Sequence, residues 1–575
     1  MVILYLGQGF IQAINSNATT FVVFAAAKLA MQAGAHDDDA GGVAARPFKF
    51  ADLEPATLAL FSLPVYTFSA KFLWSPIVDA VGGARWRRPI WVVTCQAIIC
   101  VLMFVGMRLN IYDVVVADSA TSLSASSKAP RWIADPVSVR RLIAWLFAIM
   151  FVSATQDVAV DAWAVEGVAA SNLSYQATAQ TIGLVLGFGC MQLSVVVIDK
   201  GFWGKTASAT ASSPQGGGGG GRDAVWWLLT AIVIVQVAIL LITLGYVATQ
   251  TCRRGLSRAA AAAAAASCGF SAQCEIPVVD AAADAAVATN SNIQLKQRVS
   301  VSSSSSSVWT TLRGSYRDTL VIFSSPTERL LCLCLLLQGV PHAGWSLFRT
   351  EAAAREYLSP SDAALLSLLL IPLSLLIAPF GSALVRKVGA AKLLGISIRL
   401  ELVLSFVVVM LLLPFAFSNF WRPLLRPNWL CFVVMPTTLS SSIVGLGTSV
   451  SIVTLLGLTA KKWPVNTGAC LTVLQSVWNF SRSWPSTAAL WMMGGRKTAA
   501  NPTWMLLVQT TLRSWWATGR WQADANATAE EEDWFSPNVA NAWGTAVLFL
   551  TVGILIHTRF IIPTMTRMLR RSAAE

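Results

Sequence analysis

Long apolar runs separated by short polar segments dominate the pattern of this chain. Each run can form about 20 residues of α-helix, the length that crosses the hydrocarbon core of a bilayer. The pattern therefore predicts an all-α membrane protein with twelve transmembrane helices. The predicted spans lie near residues 2–25, 54–81, 89–109, 139–168, 174–199, 224–250, 327–348, 361–386, 390–415, 428–459, 466–494 and 539–562.

Two low-complexity tracts interrupt this pattern. The first is the glycine run Gly216–Gly221, and the second covers residues 251–308 and contains runs of alanine and serine. Neither tract has enough large apolar residues to build a core, so both are predicted to be flexible. The second tract divides the spans into two sets of six. The predicted units are an N-terminal six-helix bundle at 1–250, a cytosolic linker at 251–326 and a C-terminal six-helix bundle at 327–575.

The two sets of spans repeat a short polar pattern. Leu6–Phe10 in the first span reads LGQGF, and Leu336–Val340 in the seventh reads LLQGV, at an offset of 330 residues. From each glutamine the pattern continues at i+4 and i+7, which places the side chains on one helix face. The two stripes, which are candidates to line a cavity, are Gln8, Gln12 and Asn15, and Gln338, His342 and Trp345. This echo predicts a duplicated, pseudo-symmetric bundle, as is usual in twelve-helix carriers.

Composition and charge narrow the class of protein. The chain is 55% hydrophobic and 12% charged, with a mean hydropathy of +0.60, whereas soluble domains carry about 25% charged residues. Its net charge of +13 comes from cations in short loops, where membrane topology explains them, so no nucleic-acid partner is predicted. These cations share one side of the membrane if both termini are cytosolic. Asn526, in the loop 495–538, would then face the other side as a glycosylation candidate.

Polar groups inside the fourth span form the first candidate site. Residues 151–166 read FVSATQDVAVDAWAVE, with Gln156, Asp157 and Asp161 in an otherwise apolar run. The two aspartates are four positions apart and share one helix face. A carboxylate near the bilayer centre is costly and usually faces a protein interior or a wet cavity. The pair therefore either marks a transport pathway or holds neighbouring helices together.

Four cations also lie inside or at the ends of apolar spans: Lys71, Arg349, Arg399 and Arg482. A buried cation must be paired or face water. These residues could form salt bridges with Asp157 and Asp161. They could instead line a cavity for a polyanion, since arginine binds phosphate with two hydrogen bonds and lysine supplies a point charge.

Charges at the predicted cytosolic end of the second span suggest a gate. Asp79 is followed by Arg85, Arg87 and Arg88. In a duplicated carrier this arrangement could lock the two halves by ion pairs that break during transport. The alternative is a helix end followed by the arginines that the positive-inside rule predicts.

The eleventh span carries a third polar stripe, which contains Gln475, Asn479 and Arg482 and is followed by Trp484. Amides can hydrogen-bond a base or a ribose, and an indole can stack on a purine. Amide stripes also hold helices together, so the stripe either contacts a nucleotide or joins two helices. Gly183 and Gly187 in the fifth span predict close packing of two helices.

Three longer motifs resemble a known family. FSAKFLWSPIVDA at 68–80, ATQDVAVDAW at 154–163 and NFSRSWPSTAALW at 479–491 resemble signatures of the acetyl-coenzyme A transporters of the endoplasmic reticulum, which belong to the major facilitator superfamily. The resemblance implies import of acetyl-CoA from the cytosol into the lumen in exchange for CoA. It also implies a multi-pass protein of the endoplasmic reticulum membrane, a monomer or homodimer, whose ligands are acetyl-CoA and CoA.

The resemblance and the residue types together give a predicted binding site. Lys71 and Arg399 would neutralise phosphates, and Gln475, Asn479 and Trp484 would contact the nucleotide. Asp157 and Asp161 would hold the geometry of the fourth span or change partners between states. The full set predicted to bind substrate is Lys71, Gln156, Arg349, Arg399, Gln475, Asn479, Arg482 and Trp484.

Two other functions remain open from the sequence. One is a proton-coupled carrier for another solute, similar to bacterial muropeptide permeases, with Asp157 or Asp161 as the proton site. The other is a membrane acetyltransferase, for which His342 is the base inside a span, although it has no acidic neighbour in sequence. No CxxC or HExxH motif is present, so neither a metal site nor a cofactor is predicted.

Overall fold

The structure is a computed structural model, and the part of the chain that it describes is almost entirely helical. It describes residues 1–16, 60–81, 87–111, 116–118, 132–134, 136–167, 173–199, 220–267, 308–324, 326–341, 343, 360–412, 435–461, 467–494, 537–564 and 567. The N-terminal helices are α1 (Val2–Ser16), α2 (Tyr66–Ala70), α3 (Ser75–Ala80), α4 (Arg87–Arg108), α5 (Pro136–Gly167), α6 (Leu173–Asp199) and α7 (Gly220–Ser267). The C-terminal helices are α8 (Val308–Ile322), α9 (Pro326–Gln338), α10 (Pro360–Val388), α11 (Ala390–Val407), α12 (Met435–Lys461), α13 (Thr467–Gly494) and α14 (Pro537–Ile556).

Within the described ranges, seven helices are long and apolar enough to cross a membrane. They are Arg88–Arg108, Val137–Glu166, Tyr175–Val197, Trp226–Cys252, Ser367–Val388, Ala390–Met410 and Thr545–Thr564. Each of them coincides with a predicted span. The prediction of a helical membrane protein is therefore confirmed, and the total of twelve spans and the division at 251–326 stay predictions.

Two of the apolar clusters among the described residues lie mainly within one predicted bundle each, and a smaller one joins Ala177 of α6 to Val385 of α10 and Val450 of α12. Of the first two, one joins α1, α4, α5, α6 and α7, and its buried members include Ile14, Met103, Leu146, Met191 and Leu229. The other joins α9, α11, α12 and α13, and its buried members include Leu335, Leu394, Ile452 and Leu474. These two clusters follow the two predicted bundles, apart from Val165 of α5, which joins the second cluster.

The second predicted span is broken into short pieces. Turns of 3₁₀ helix at Leu63–Val65 and Lys71–Leu73 flank α2, and α3 follows. The break at Lys71–Leu73 follows from Pro76, which has no backbone N–H to continue the helical ladder. The Ser75 hydroxyl replaces this donor for one carbonyl, since it donates to the Phe72 oxygen at 3.3 Å. The break leaves Lys71 at a bend in the chain.

The linker predicted to be flexible contains helices at both of its ends. α7 continues through the alanine run to Ser267, and α8 forms at Val308–Ile322. Alanine has the highest intrinsic helix propensity, which explains the first extension. Tyr316 of α8 donates a hydrogen bond of 2.6 Å to the Leu73 carbonyl at the bend. The tract 251–308, which was predicted to be flexible, is therefore helical at its start, and α8 lies in the remaining part of the predicted linker 251–326.

A small β-hairpin is the other departure from the all-α prediction. Val116–Asp118 pairs antiparallel with Trp132–Ala134, with Ala117 opposite Ile133. Both strands lie in the predicted non-cytosolic loop 110–138, so they do not change the set of membrane spans.

Glycines allow close helix contacts at equivalent positions of the two predicted halves. A Cβ at Gly187 of α6 would overlap the Leu6 carbonyl of α1, and a Cβ at Gly9 would meet the Leu184 carbonyl. In the second half, a Cβ at Gly339 would overlap the Ser481 carbonyl of α13. Gly9 and Gly339 differ by the repeat offset. The packing role predicted for Gly183 and Gly187 is confirmed, and the matching contact supports the duplication.

Among the described residues, hydrogen bonds join the predicted halves in two regions. Along α6 and α10, the Thr178 and Ser382 hydroxyls hydrogen-bond, and Arg386 donates to the Tyr175 hydroxyl at 2.6 Å. Along the broken second span and α13, the hydroxyls of Ser62 and Thr487 lie 3.0 Å apart. The second contact contains the candidate site.

Candidate functional site

Lys71 is the centre of a buried charge cluster. Its side chain is 1% exposed, and its Nζ lies 2.5 Å from Asp157 Oδ2 and 3.8 Å from Asp161 Oδ2. It also donates to Gln475 Oε1 of α13 at 2.9 Å. With all three groups ionised, the cluster would carry one net negative charge. Lys71 therefore contacts both predicted halves from one position.

The local sequence explains this arrangement. Asp157 and Asp161 are one turn apart on α5, so both carboxylates face the bend at which Lys71 lies. Tyr5 reaches the same place from α1 and donates to Asp161 Oδ1 at 2.6 Å. The tight packing of α1 on α6 at Gly183 brings Tyr5 close, since a Cβ at that glycine would overlap the Tyr5 side chain. Sequence reasoning missed Tyr5, although it lies three residues before Gln8 and extends the same stripe.

In this structure Lys71 and the aspartates adopt the paired arrangement, which is one of the two that the sequence allows. A lysine that is paired with carboxylates and shielded from solvent offers no free cation to a phosphate in this conformation. Lys71 therefore forms the salt bridges that were one of the two predictions. The same contacts place Asp157 and Asp161 where a change of partner can alter the geometry of α5.

Gln156 is directed away from this cluster. Its amide donates to Gln96 Oε1 at 2.7 Å, Gln96 donates to Gln236 Oε1 at 2.6 Å, and Gln236 donates to the Gly7 carbonyl at 3.0 Å. This buried chain of amides joins α5, α4, α7 and α1. Gln156 does not face Lys71, because the residue next to Asp157 is turned about 100° around the helix. Its contact with a substrate stays a prediction. The sequence signal for Gln96 and Gln236 was a lone amide within each apolar run.

A second ionic cluster lies at the predicted cytosolic ends of α3, α4 and α5. Arg88 pairs with Asp79, and its other nitrogen lies 3.0 Å from Glu166 Oε1. The predicted pairing of Asp79 with the arginines is therefore present. These pairs join three helices of the first half to one another. A lock between the two halves, one of the two possibilities that the sequence left open, stays a prediction. Arg85 and the side chain of Arg87 lie outside the described part.

In the second half, Arg482 and Glu401 face each other. Arg482 is 39% exposed, and its Nη2 lies 3.9 Å from Glu401 Oε1. Its guanidinium stacks over the Trp478 ring at 5.1 Å, and Gln338 donates to Glu401 Oε2 at 3.4 Å. Glu401 was missed by sequence reasoning, although it is a carboxylate in the middle of an apolar span.

Arg399 points away from Glu401. It is exposed on α11 together with Ile396, Leu400 and Val403, whereas Glu401 lies on the buried face. This exposed position does not support the prediction that Arg399 lines a cavity. Arg399 and Glu401 face different sides of α11 because two positions along a helix turn a side chain about 200° around the axis.

The remaining predicted residues are placed as follows. Asn479 donates to the Phe68 carbonyl at 3.5 Å, and the Trp484 indole donates to the Leu336 carbonyl at 3.2 Å, so both tie α13 to neighbouring segments. Gln8 and Asn15 are buried on α1 and Gln12 is half-buried. Neither amide atom of Gln8 has a hydrogen-bond partner among the described residues. Arg349, His342, Trp345 and Asn526 lie outside the described residues.

One segment of the chain matches a known protein family. Residues 49–205 match the family model described as Acetyl-coenzyme A transporter 1. The resemblance to that family is therefore confirmed over residues 49–205. This segment contains Lys71, Asp79, Arg88, Asp157 and Asp161, so both ionic clusters of the first half fall within it.

Curated relatives match mainly a short stretch of the chain. An uncharacterized protein of Schizosaccharomyces pombe is 38% identical over 133 residues, which cover 23% of this chain and 22% of the relative. An uncharacterized membrane protein of Saccharomyces cerevisiae is 34% identical over 133 residues, or 23% of each chain. The match thus spans less than a quarter of the length of these relatives. Together with the seven apolar helices, it shows a multi-pass membrane protein.

Solved structures similar to this chain over most of its length are transporters. A proton:xylose symporter of the major facilitator superfamily is 11% identical, with 96% of each chain covered and a TM-score of 0.46. A nucleoside transporter is 10% identical, with 97% of this chain and 98% of that chain covered and a TM-score of 0.46. A bacterial homologue of the iron transporter ferroportin is 14% identical, with 96% and 98% covered and a TM-score of 0.44.

Proposed function

We propose that this chain is a secondary transporter that carries acetyl-CoA from the cytosol into the lumen of the endoplasmic reticulum in exchange for CoA. The family match over residues 49–205 supports the substrate. The observation that carries the proposal is the position of Lys71, which pairs with Asp157 within that segment and bonds to Gln475 in the other predicted half. Such a cation can link ligand binding to a movement of the halves.

The proposed mechanism is alternating access around a site near the middle of the membrane. An anion that attracts the Lys71 ammonium competes with both Asp157 and Gln475. Loss of the Gln475 bond weakens one contact between the halves, so the anion favours the conformation in which this contact is open. A ligand shifts such an equilibrium only by its difference in affinity for the two states. No covalent step is needed, and no cofactor takes part.

Arg482 is the proposed first contact for the phosphates of acetyl-CoA. It is partly exposed, and its distance of 3.9 Å from Glu401 leaves the guanidinium without a close bidentate partner in the described contacts. Arginine recognises phosphate through paired N–H groups. Gln475 and Asn479 lie about two turns and one turn before Arg482 on the same helix, and they are the proposed contacts for the nucleotide. Arg349 stays a candidate from the sequence.

Uptake into liposomes that contain the purified protein tests the function. Acetyl-CoA would carry one label on the acetyl group and another on the adenine, and the liposomes would be prepared with and without internal CoA. The proposal expects both labels to enter together, and faster with CoA inside. Entry of the acetyl label alone would show an acetyltransferase, for which His342 would be tested next. Failure of both labels to enter, with liposomes shown to be sealed, would overturn the substrate assignment.

The proposed location in the endoplasmic reticulum, with both termini cytosolic, has its own test. Epitope tags at the two ends should be digested by protease added to intact microsomes, because both would lie on the cytosolic side. Asn526 would face the lumen and carry a glycan, and Asn526→Gln should remove the corresponding mass shift. Protection of either tag would contradict the proposed topology.

A further inference from the structure

The cluster around Lys71 has more acidic groups than it can neutralise. Lys71 supplies one positive charge, and Asp157 and Asp161 supply two negative charges, all from side chains with at most 7% exposure. The other described groups that face Asp161 are Tyr5 of α1, Gln180 of α6 and Gln475 of α13, and all three are neutral. A net charge without a partner is strongly disfavoured at such a depth. The cluster therefore requires one further positive charge.

The two carboxylates differ in how they are satisfied. Asp157 Oδ2 takes the ammonium at 2.5 Å, whereas Asp161 Oδ2 lies 3.8 Å from it, beyond hydrogen-bond distance. Asp161 Oδ1 accepts the Tyr5 hydroxyl at 2.6 Å and the Gln180 amide at 3.5 Å. Its Oδ2 is buried and has no hydrogen-bond partner among the described residues. One oxygen of one carboxylate thus lacks the donor that a buried anion needs.

We propose that Asp161 is a proton-binding site, and that its Oδ2 carries a proton while Lys71 is paired with Asp157. With the proton bound, Asp161 is a neutral acid whose Oδ1 remains the acceptor for Tyr5. The cluster is then neutral. A metal cation fits this position less well, because the Lys71 ammonium already lies between the two carboxylates and would repel it.

The site links proton binding to the anion, and this consequence rests on the proposed function. When a phosphate takes the Lys71 ammonium, Asp157 loses its counterion, and a second proton from water can neutralise it. When the anion leaves, Lys71 returns to Asp157, and that proton returns to water. No bond other than O–H forms or breaks. Anion binding and proton binding should therefore strengthen each other, as linkage requires.

Infrared spectroscopy of the purified protein tests the proton site without any substrate. A protonated carboxyl group has a C=O band that is separate from the bands of carboxylates and amides and that shifts in D₂O. The wild-type protein should show this band and lose it as the pH is raised. The band should be absent in Asp161→Asn, in which Asn still offers an oxygen to Tyr5. It should persist in Glu401→Gln, the matched variant of a buried carboxylate in the other half.

Tyr5→Phe distinguishes Asp161 from Asp157 as the protonated group. Removal of the Tyr5 hydrogen bond should raise the frequency of the C=O band, because that bond is made to Asp161 Oδ1. A band that is unchanged in Tyr5→Phe, that persists in Asp161→Asn, or that is absent from the folded wild-type protein at every pH would overturn the proposal.

Transport measurements then test the link to the anion. In liposomes with acetyl-CoA outside and CoA inside, the wild-type rate should depend on pH. Asp157→Asn should flatten this dependence, because Asp157 is the group that takes up the linked proton when the anion binds Lys71. A protein that shows the infrared band but does not move acetyl-CoA would keep the proton site on Asp161 and overturn the proposed substrate. Transport of acetyl-CoA by Asp157→Asn with the same pH dependence as the wild type would overturn the link between proton and anion and leave the substrate in place.

Discussion

Lys71 and Gln475 are 404 positions apart in sequence and are joined by a hydrogen bond of 2.9 Å. The bond connects the bend in the second span to α13, so it fixes where the two predicted halves meet. Asp157 holds the same ammonium from α5. The stability of the protein should therefore depend on this buried cation.

Lys71→Ala should destabilise the protein by about 3–5 kcal/mol, because it leaves the buried carboxylate of Asp157 without its counterion. The triple variant Lys71→Met, Asp157→Asn, Asp161→Asn removes all the charges and should recover most of this loss, but it should not transport acetyl-CoA. Thermal unfolding in detergent and liposome uptake measure the two effects. A triple variant as unstable as Lys71→Ala would show that the ion pairs are not what Lys71 contributes.

Gln475→Ala should destabilise the protein less than Lys71→Ala does. It removes one hydrogen bond to a charged group, which is worth about 1.5–3 kcal/mol, and leaves the pair with Asp157 intact. Comparison of unfolding midpoints with those of Lys71→Ala checks the order. An equal loss in both variants would mean that Gln475, and not the carboxylates, is the main partner of Lys71.

The two carboxylates that bind Arg88 should contribute different amounts to the stability of the protein. The Asp79 side chain is 12% exposed and that of Glu166 is 44% exposed. Asp79→Asn should cost about 1–3 kcal/mol of stability, since it breaks a buried charged pair, while Glu166→Gln should cost at most about 1 kcal/mol because water screens the pair. Unfolding midpoints of the two variants test this. A larger loss in Glu166→Gln would place the main contact of Arg88 elsewhere.

Replacement of Arg482 and replacement of Arg399 should have different effects on the KM for acetyl-CoA uptake. Arg482→Ala should raise the KM for acetyl-CoA uptake at least about 10-fold, the equivalent of losing about 1.4 kcal/mol of binding. Arg399→Ala should leave the KM within about 2-fold, because Arg399 lies on the exposed apolar face of α11 and has no path to the same ligand. A larger effect in Arg399→Ala would restore the placement inferred from sequence alone.

The glycine contact between α1 and α6 should be intolerant of a single methyl group. A Cβ at Gly187 would overlap the Leu6 carbonyl, whereas a Cβ at Gly245 of α7 would meet nothing within 4 Å. Gly187→Ala should lower the unfolding midpoint and weaken the placement of Tyr5. Gly245→Ala is the matched control and should be neutral or stabilising by up to about 1 kcal/mol, since alanine favours helix.

The contact between α8 and the bend should protect α8 from proteolysis. Tyr316→Phe removes the hydrogen bond to the Leu73 carbonyl, which is worth about 0.5–1.5 kcal/mol. Limited proteolysis at residues 308–322 should then be faster than in the wild type. Tyr246→Phe, which changes an exposed tyrosine on α7, serves as the control. Equal cleavage in all three proteins would show that Tyr316 does not hold α8.

Local properties of the sequence determined the class of the protein and its main chemical groups. The length and hydropathy of each run predict a membrane helix without knowledge of its neighbours, and all seven apolar helices of the described part coincide with predicted spans. The spacing of Asp157 and Asp161 placed both on one face, and their burial followed from the cost of a charge in the membrane. The motifs at 68–80 and 154–163 identified the family that matches residues 49–205.

The tertiary structure alone decided which face of each helix turns inward and which groups meet. A membrane helix is apolar on all sides, so its pattern does not distinguish the lipid-facing side from the buried side. The sequence therefore favoured Arg399, whereas Glu401 is the residue of that span that faces Arg482. The partners of Lys71 come from α5 and α13, hundreds of residues apart in sequence, and no local pattern specifies such a contact. Packing of the helices brings these charges together, because each buried charge is stable only beside a partner that another segment supplies.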